Sequence, residues 1–232
     1  MRTEITGSTL PVLQVTLSPG ETLIAEPDRL SWMTPNVVLN TTMATGGASG
    51  FFGAIGRAIS GGGLFMTEFT AQGGEGLVSF AATVPGNILE VDVASGRGFM
   101  VQRSGFLAGA HGLEISVGFQ QSLGSGLFGG EGFVLQRLTG HGKAFVELGG
   151  EIVSYSLEPG QSLLVHPGHV GMFEESVNFE ITMMRGVKNM LFGGDGLFLA
   201  QLTGPGKIWL QSLTPSKLAH ALQPYLPTAE RR

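Results

Sequence analysis

The residues that could do chemistry are few, and their spacing argues against most reactions. Gly140-His141-Gly142-Lys143 and Gly204-Pro205-Gly206-Lys207 look like phosphate-cradling turns. A phosphate loop of that kind needs Ser or Thr after its lysine to hold magnesium, and a helix to follow. Ala144 and Ile208 stand there instead, and Leu77 takes the lysine's place in a third, earlier copy, so all three read as hairpin turns. Five histidines are present, His111, His141, His166, His169 and His220. Only His166-Pro167-Gly168-His169 brings two together, in a Pro-Gly turn without a neighbouring acid, a poor match to a metal's ligand set. No Gly-x-Ser-x-Gly elbow occurs. Glu174 and Glu175 are adjacent, so on a strand they face opposite ways, the wrong geometry for a glycosidase pair. Cysteine is absent, which removes disulfides and thiolate chemistry together. The expectation is a protein that is not an enzyme, without catalytic, cofactor-binding or metal-ligating residues.

Two features are less bland. Phe51, Phe52, Ile55 and Ile59 fall on one side of a helix inside a Gly-rich insertion, 45–63, whose only charge is Arg57. One reading is an apolar finger that meets a bilayer interface or a membrane protein. The other is a loop or short helix tucked against its own body or a subunit interface, since the glycines weaken a helix and polar-face lysines are missing. Glu131 and Asp195 occupy matching places in two repeats, with Glu68 slightly displaced in a third. They could ring a common axis, or simply be solvated turn residues.

The elements that would hold these residues are strands. Leu127 to Lys143 and Leu191 to Lys207 read almost identically, 64 residues apart, and a looser copy runs from Gly62 to Val78. Internal repeats of this kind decide a fold before anything else does. Leu13, Val15 and Leu17 alternate with polar residues up to Pro19-Gly20. Leu89, Val91 and Val93 do so up to Gly96, and Val153, Tyr155 and Leu157 up to Pro159-Gly160. Period-two alternation closed by a glycine turn is the mark of a strand and its return. Further strands carry Leu113, Ile115, Val117 and Phe119, and Val177, Phe179, Ile181 and Met183. The hairpins at Gly74-Gly76, Gly140-Gly142 and Gly204-Gly206 close each unit.

This predicts an all-β protein of three units, 1–86, 87–150 and 151–213, sharing one core about a pseudo-threefold axis. A tail over 214–232 begins with a helix: Thr214 suits its cap, Pro215 its first turn, and Leu218, Ala221 and Leu222 its apolar stripe.

The bulk numbers agree with a body whose surface is largely covered. The chain has 232 residues, 42% hydrophobic and only 13% charged, with 38 glycines and a net charge of −5. Without a clustered basic footprint, nucleic acid is not an expected partner. No run is long and apolar enough to span a bilayer, and the amino terminus lacks the apolar core of a signal peptide, so the expected location is cytoplasmic. Low charge and many short strands together point to a homo-oligomer.

The Leu-Phe-Gly-Gly-(Glu/Asp)-Gly signature, the insertion ending Leu64-Phe65-Met66, and Leu202-Thr203-Gly204-Pro205-Gly206-Lys207-Ile208-Trp209-Leu210 resemble the AIM24 family, from about Leu13 to Leu226. The resemblance implies short double-stranded β-helix units like those of the tryptophan RNA-binding attenuation protein. Its mitochondrial member is associated with inner-membrane organisation, which implies contact with a membrane surface through the insertion. The attenuation protein's repeated lysines are missing here, and the family supplies no catalytic residue to carry over. The expected function is therefore a non-enzymatic β scaffold or binding module. A small-ligand pocket between units or subunits is the alternative, and a metal-dependent enzyme comes behind both.

Overall fold

The computed structural model describes residues 1–44, 64–121, 132–184 and 197–226. The apolar alternation does form strands, and the turns that end them are built from the expected residues. In β2 (Val12–Leu17) the side chains of Leu13, Val15 and Leu17 are fully buried, with half-exposed neighbours between them. The chain then turns through Ser18-Pro19-Gly20-Glu21, where the Glu21 N–H donates to the Ser18 carbonyl at 2.9 Å and Gly20 has φ +80°. Proline followed by a left-handed glycine is the type II arrangement. Glu158-Pro159-Gly160-Gln161 repeats it, with the same 2.9 Å bond and the same φ at Gly160.

Nineteen strands are described in all. After β1 (Arg2–Thr6) and β2 come β3 (Thr22–Ala25), β4 (Trp32–Met33), β5 (Val37–Ala44), β6 (Leu64–Ala71) and β7 (Gly76–Ala81). Next are β8 (Gly86–Val93), β9 (Phe99–Gln102), β10 (Phe106–Ala110), β11 (Leu113–Gln121), β12 (Phe133–Gly140) and β13 (Gly142–Gly149). The last are β14 (Ile152–Leu157), β15 (Ser162–Val165), β16 (Val170–Glu174), β17 (Asn178–Met184), β18 (Leu197–Thr203) and β19 (Gly206–Gln211). They form four antiparallel sheets, in the orders β1-β2-β7-β4, β5-β6-β3-β10-β13-β8, β11-β12-β9-β16-β19-β14 and β15-β18-β17. The two six-stranded sheets have the same order with every strand number raised by six. Each is joined at its middle by strands from separate stretches of the chain: β3 to β10 through Ala25↔Ala108, and β9 to β16 through Val101↔Met172.

The buried side chains fall into three clusters. Leu13, Leu17, Phe69 and Phe80 pack with Leu107 and Phe145; Phe99, Phe106 and Val146 pack with Ile24 and Met172; and Leu135 packs with Phe173, Leu202 and Ile208. Each cluster therefore draws on strands from more than one stretch of sequence, as the shared middle joints require.

Three details depart from the alternation read in the sequence. β11 slips register against β12 between Val117 and Phe119, and Val117 is exposed while Leu113 and Ile115 stay buried. Val153 and Tyr155 are exposed although Leu13 and Val15 are not: β2 lies between β1 and β7, whereas β14 has β19 as its one neighbour among the described strands. The helix α1 (Pro215–Leu222) is capped as expected, with the Thr214 hydroxyl accepting from the Lys217 N–H at 3.1 Å. None of its residues is buried, so the stripe of Leu218, Ala221 and Leu222 does not seal against the β body. No helix among the described residues is long and apolar enough to cross a membrane.

Candidate functional site

The residues singled out in the sequence scatter. Phe51, Phe52, Ile55 and Ile59 lie outside the described residues, as do Glu131, Asp195 and most of the two signature stretches. Glu68 is described and faces His111, with the imidazole Nε2 3.2 Å from its carboxylate. Glu174 and Glu175 diverge as expected: the Lys207 N–H donates to Glu174 at 2.9 Å, while Glu175 pairs with Arg137. Lys143 pairs with Glu90, and the side-chain hydrogen bond to that carboxylate and its charge raise the lysine's pKa. Lys207 sits over the Trp209 ring, 5.0 Å from its centre.

His166 and His169 do come together, their rings 6.0 Å apart around a single 3-10 turn, Pro167–His169. The His169 Nδ1–H donates to the Gln211 carbonyl at 2.7 Å, and the Lys217 ammonium lies 2.7 Å from Nε2. Both nitrogens of that ring are thus engaged, and a cation already occupies the approach a metal would need. Burial lowers the His166 pKa, and the nearby His169 and Lys217 lower it further.

What the fold assembles instead is a set of buried polar ties at the sheet joints. Glu147, on β13, is almost fully buried between apolar neighbours. It accepts from the Thr83 N–H at 2.6 Å, the Val84 N–H at 3.2 Å and the Arg29 guanidinium at 3.1 Å. Arg29 also reaches Glu26, the Thr83 hydroxyl and the Ser104 carbonyl. Gln211, on β19, holds the same place 64 residues later. Its amide carbonyl accepts from Gln102 and from the Gly149 N–H, each at 2.9 Å, and its amide N–H donates to the Gly168 carbonyl at 3.0 Å. Buried polar groups are retained when their partners are this complete. Lone polar residues inside Ala144-Phe145-Val146-Glu147-Leu148 and Ile208-Trp209-Leu210-Gln211, at matching repeat positions, were the signal that sequence reading passed over.

Beside these ties lie three recesses of about 440, 250 and 190 Å³, all bordered by Arg103 and Ser104. The largest has an apolar wall of Pro27, Phe65, Val117 and Val134, with Glu26, Arg103, Gln120 and Gln136 at its polar end. Gln136 is buried and gives its amide N–H to Glu26. Its carbonyl oxygen has no hydrogen-bond partner among the described residues.

Antiparallel sheets locked at shared middle joints, with buried charge committed to holding those joints, define a mostly β protein whose described strands run from Arg2 to Gln211. Comparison with known proteins gives that class a family. The chain belongs to the family described as mitochondrial biogenesis AIM24, whose model matches residues 3–213. It is 28% identical over 227 residues to the uncharacterised protein M6_Spy0233 of Streptococcus pyogenes serotype M6, covering 94% of this chain and 88% of that one. It also shares its fold with the crystal structure of protein SPYM3_0169 from Streptococcus pyogenes. That likeness has a TM-score of 0.76 at 24% identity and covers 97% of this chain and 99% of the other.

Proposed function

We propose that this chain is a non-enzymatic β scaffold, built of three β units and working through its surfaces in assembly with copies of itself. The observation that carries the reading is where the apolar side chains go. Trp32, Val38, Leu39, Phe65, Val117, Val153, Tyr155 and Leu164 are large, apolar and exposed on strands, whereas the buried charges at the joints are consumed by one another. Large apolar side chains left exposed on strands are what a contact face offers a partner. The Gly-rich insertion extends the reading to a membrane surface or a membrane protein.

Native mass spectrometry of the chain purified from its own cells tests the scaffold. Masses at whole-number multiples of the chain support it, and a monomer at every concentration contradicts it. For the membrane part, flotation with vesicles of phosphatidylcholine and phosphatidylglycerol should carry the wild type upward and leave the Phe51→Ser, Phe52→Ser double variant at the bottom. Equal behaviour of the two removes that part.

A second reading, a small-ligand module, is favoured by the unpartnered Gln136 oxygen beside the 440 Å³ recess, the one of the three that reaches the size of common ligand sites. A retained small molecule of constant mass in the same spectra would favour it over the scaffold.

A further inference from the structure

Strand order leaves two edges that do not match the rest of the protein. Taking β2–β7, β8–β13 and β14–β19 as three successive sets of six, the second strand of one set pairs with the third of another wherever both lie in the interior: β3 with β10, and β9 with β16. β4 is the third strand of the first set and β15 the second strand of the last. Each has one partner among the described strands, β7 and β18 respectively, and each ends its sheet. The remaining edges are of another kind: β5, β11 and β17 are edges in every set, β8 and β14 are edges where β1 covers their counterpart β2, and β1 has no counterpart. We infer that β15 of one copy pairs with β4 of a second copy of this chain, antiparallel, making between molecules the joint that β3–β10 and β9–β16 make within one.

The observed ladders fix the register of that joint. Leu23, Phe99 and Leu163 correspond, since they face Phe69, Leu138 and Leu202 on equivalent strands. Ala108, Met172 and Trp32 correspond in the same way, facing Phe145, Trp209 and Ser79. Ala25 pairs with Ala108 and Val101 with Met172, so Val165 meets Trp32 of the second copy, and Leu164 meets its Met33.

Exposure follows the same logic. Ala108 and Met172 are 0% exposed and Ile24 is 5% exposed, each under its joint, whereas Trp32 is 48% and Leu164 50% exposed where the joint is missing. Neither β4 nor β15 carries a charged residue of the kind that guards a free edge. Because the two edges differ, the contact is head to tail, and copies add until a ring closes or a filament grows.

This deepens the scaffold reading and rests on it, and mixing separates the fates of the two. Leu164→Lys spoils β15 and leaves β4 intact; Trp32→Glu does the reverse. By size-exclusion chromatography with light scattering, wild type should run as multiples of the chain. Each variant alone should run as a monomer, its dissociation constant raised about a hundredfold or more. An equimolar mixture should give a dimer and stop there, because one sound β15 and one sound β4 remain; that dimer also shows that both variants are folded. A mixture that stays monomeric overturns the edge pairing. Wild-type multimers that persist unchanged in both variants overturn it too, while leaving the scaffold standing. A monomeric wild type overturns both.

Discussion

Arg29 and Glu147 are 118 residues apart in sequence and meet in a nearly water-free joint. Removing one partner of a buried pair strands the other's charge, at a cost of about 3–5 kcal/mol. Glu147→Ala also orphans the Thr83 and Val84 N–H groups, so urea unfolding should show a loss in that range; a loss below about 1 kcal/mol would mean the tie is idle. His166 gives a pH signature. Burial first, then His169 and Lys217, lowers its pKa from 6.5, so between the lowered value and 6.5 the unfolded chain binds more proton than the folded one. Its contribution is therefore whole above pH 6.5 and is lost as pH falls toward the lowered value. Thermal melts from pH 8 to pH 5 should show a smaller acid loss in His166→Gln than in wild type. Little of this was legible in the sequence, because a side chain's partner more than a hundred residues away leaves no local pattern. Only the intrusion of Glu147 and Gln211 into apolar strands, in matching positions, hinted at it.

At the scale of elements the sequence spoke more clearly. Proline before a left-handed glycine placed the turns at Gly20 and Gly160, and Thr214 with Pro215 placed the helix start. Strands without alternation were harder. β10 is short and rich in small residues, Phe106-Leu107-Ala108-Gly109-Ala110, and β4 is two residues long, so neither shows a period; both are fixed by the strands beside them. Glycine also serves close approach here. A methyl group on Gly86 would run into the Leu148 carbonyl oxygen where β8 meets the end of β13, while one on Gly74 would meet nothing within 4 Å. Gly86→Ala should therefore cost about 1–3 kcal/mol, from overpacking. Gly74→Ala should be neutral or stabilising by up to about 1 kcal/mol. Equal urea midpoints for the two variants would refute the close approach.

For the whole molecule, evenly spaced glycine landmarks were legible in the sequence, and the order of one six-stranded sheet recurs in the other with an offset of six. Hidden from the sequence was that each large sheet is shared between successive stretches of chain, since alternation tells which face a residue presents and not which strand it bonds. That sharing marks two short edges as unfinished joints, and on it the proposed assembly rests. Oxidative cross-linking tests it directly, because the chain has no cysteine of its own. Opposed residues of antiparallel strands lie within disulfide reach. A chain carrying Leu164→Cys and Met33→Cys should oxidise into a ladder of covalently linked multimers on a non-reducing gel. A product that stays at the monomer position would contradict the account.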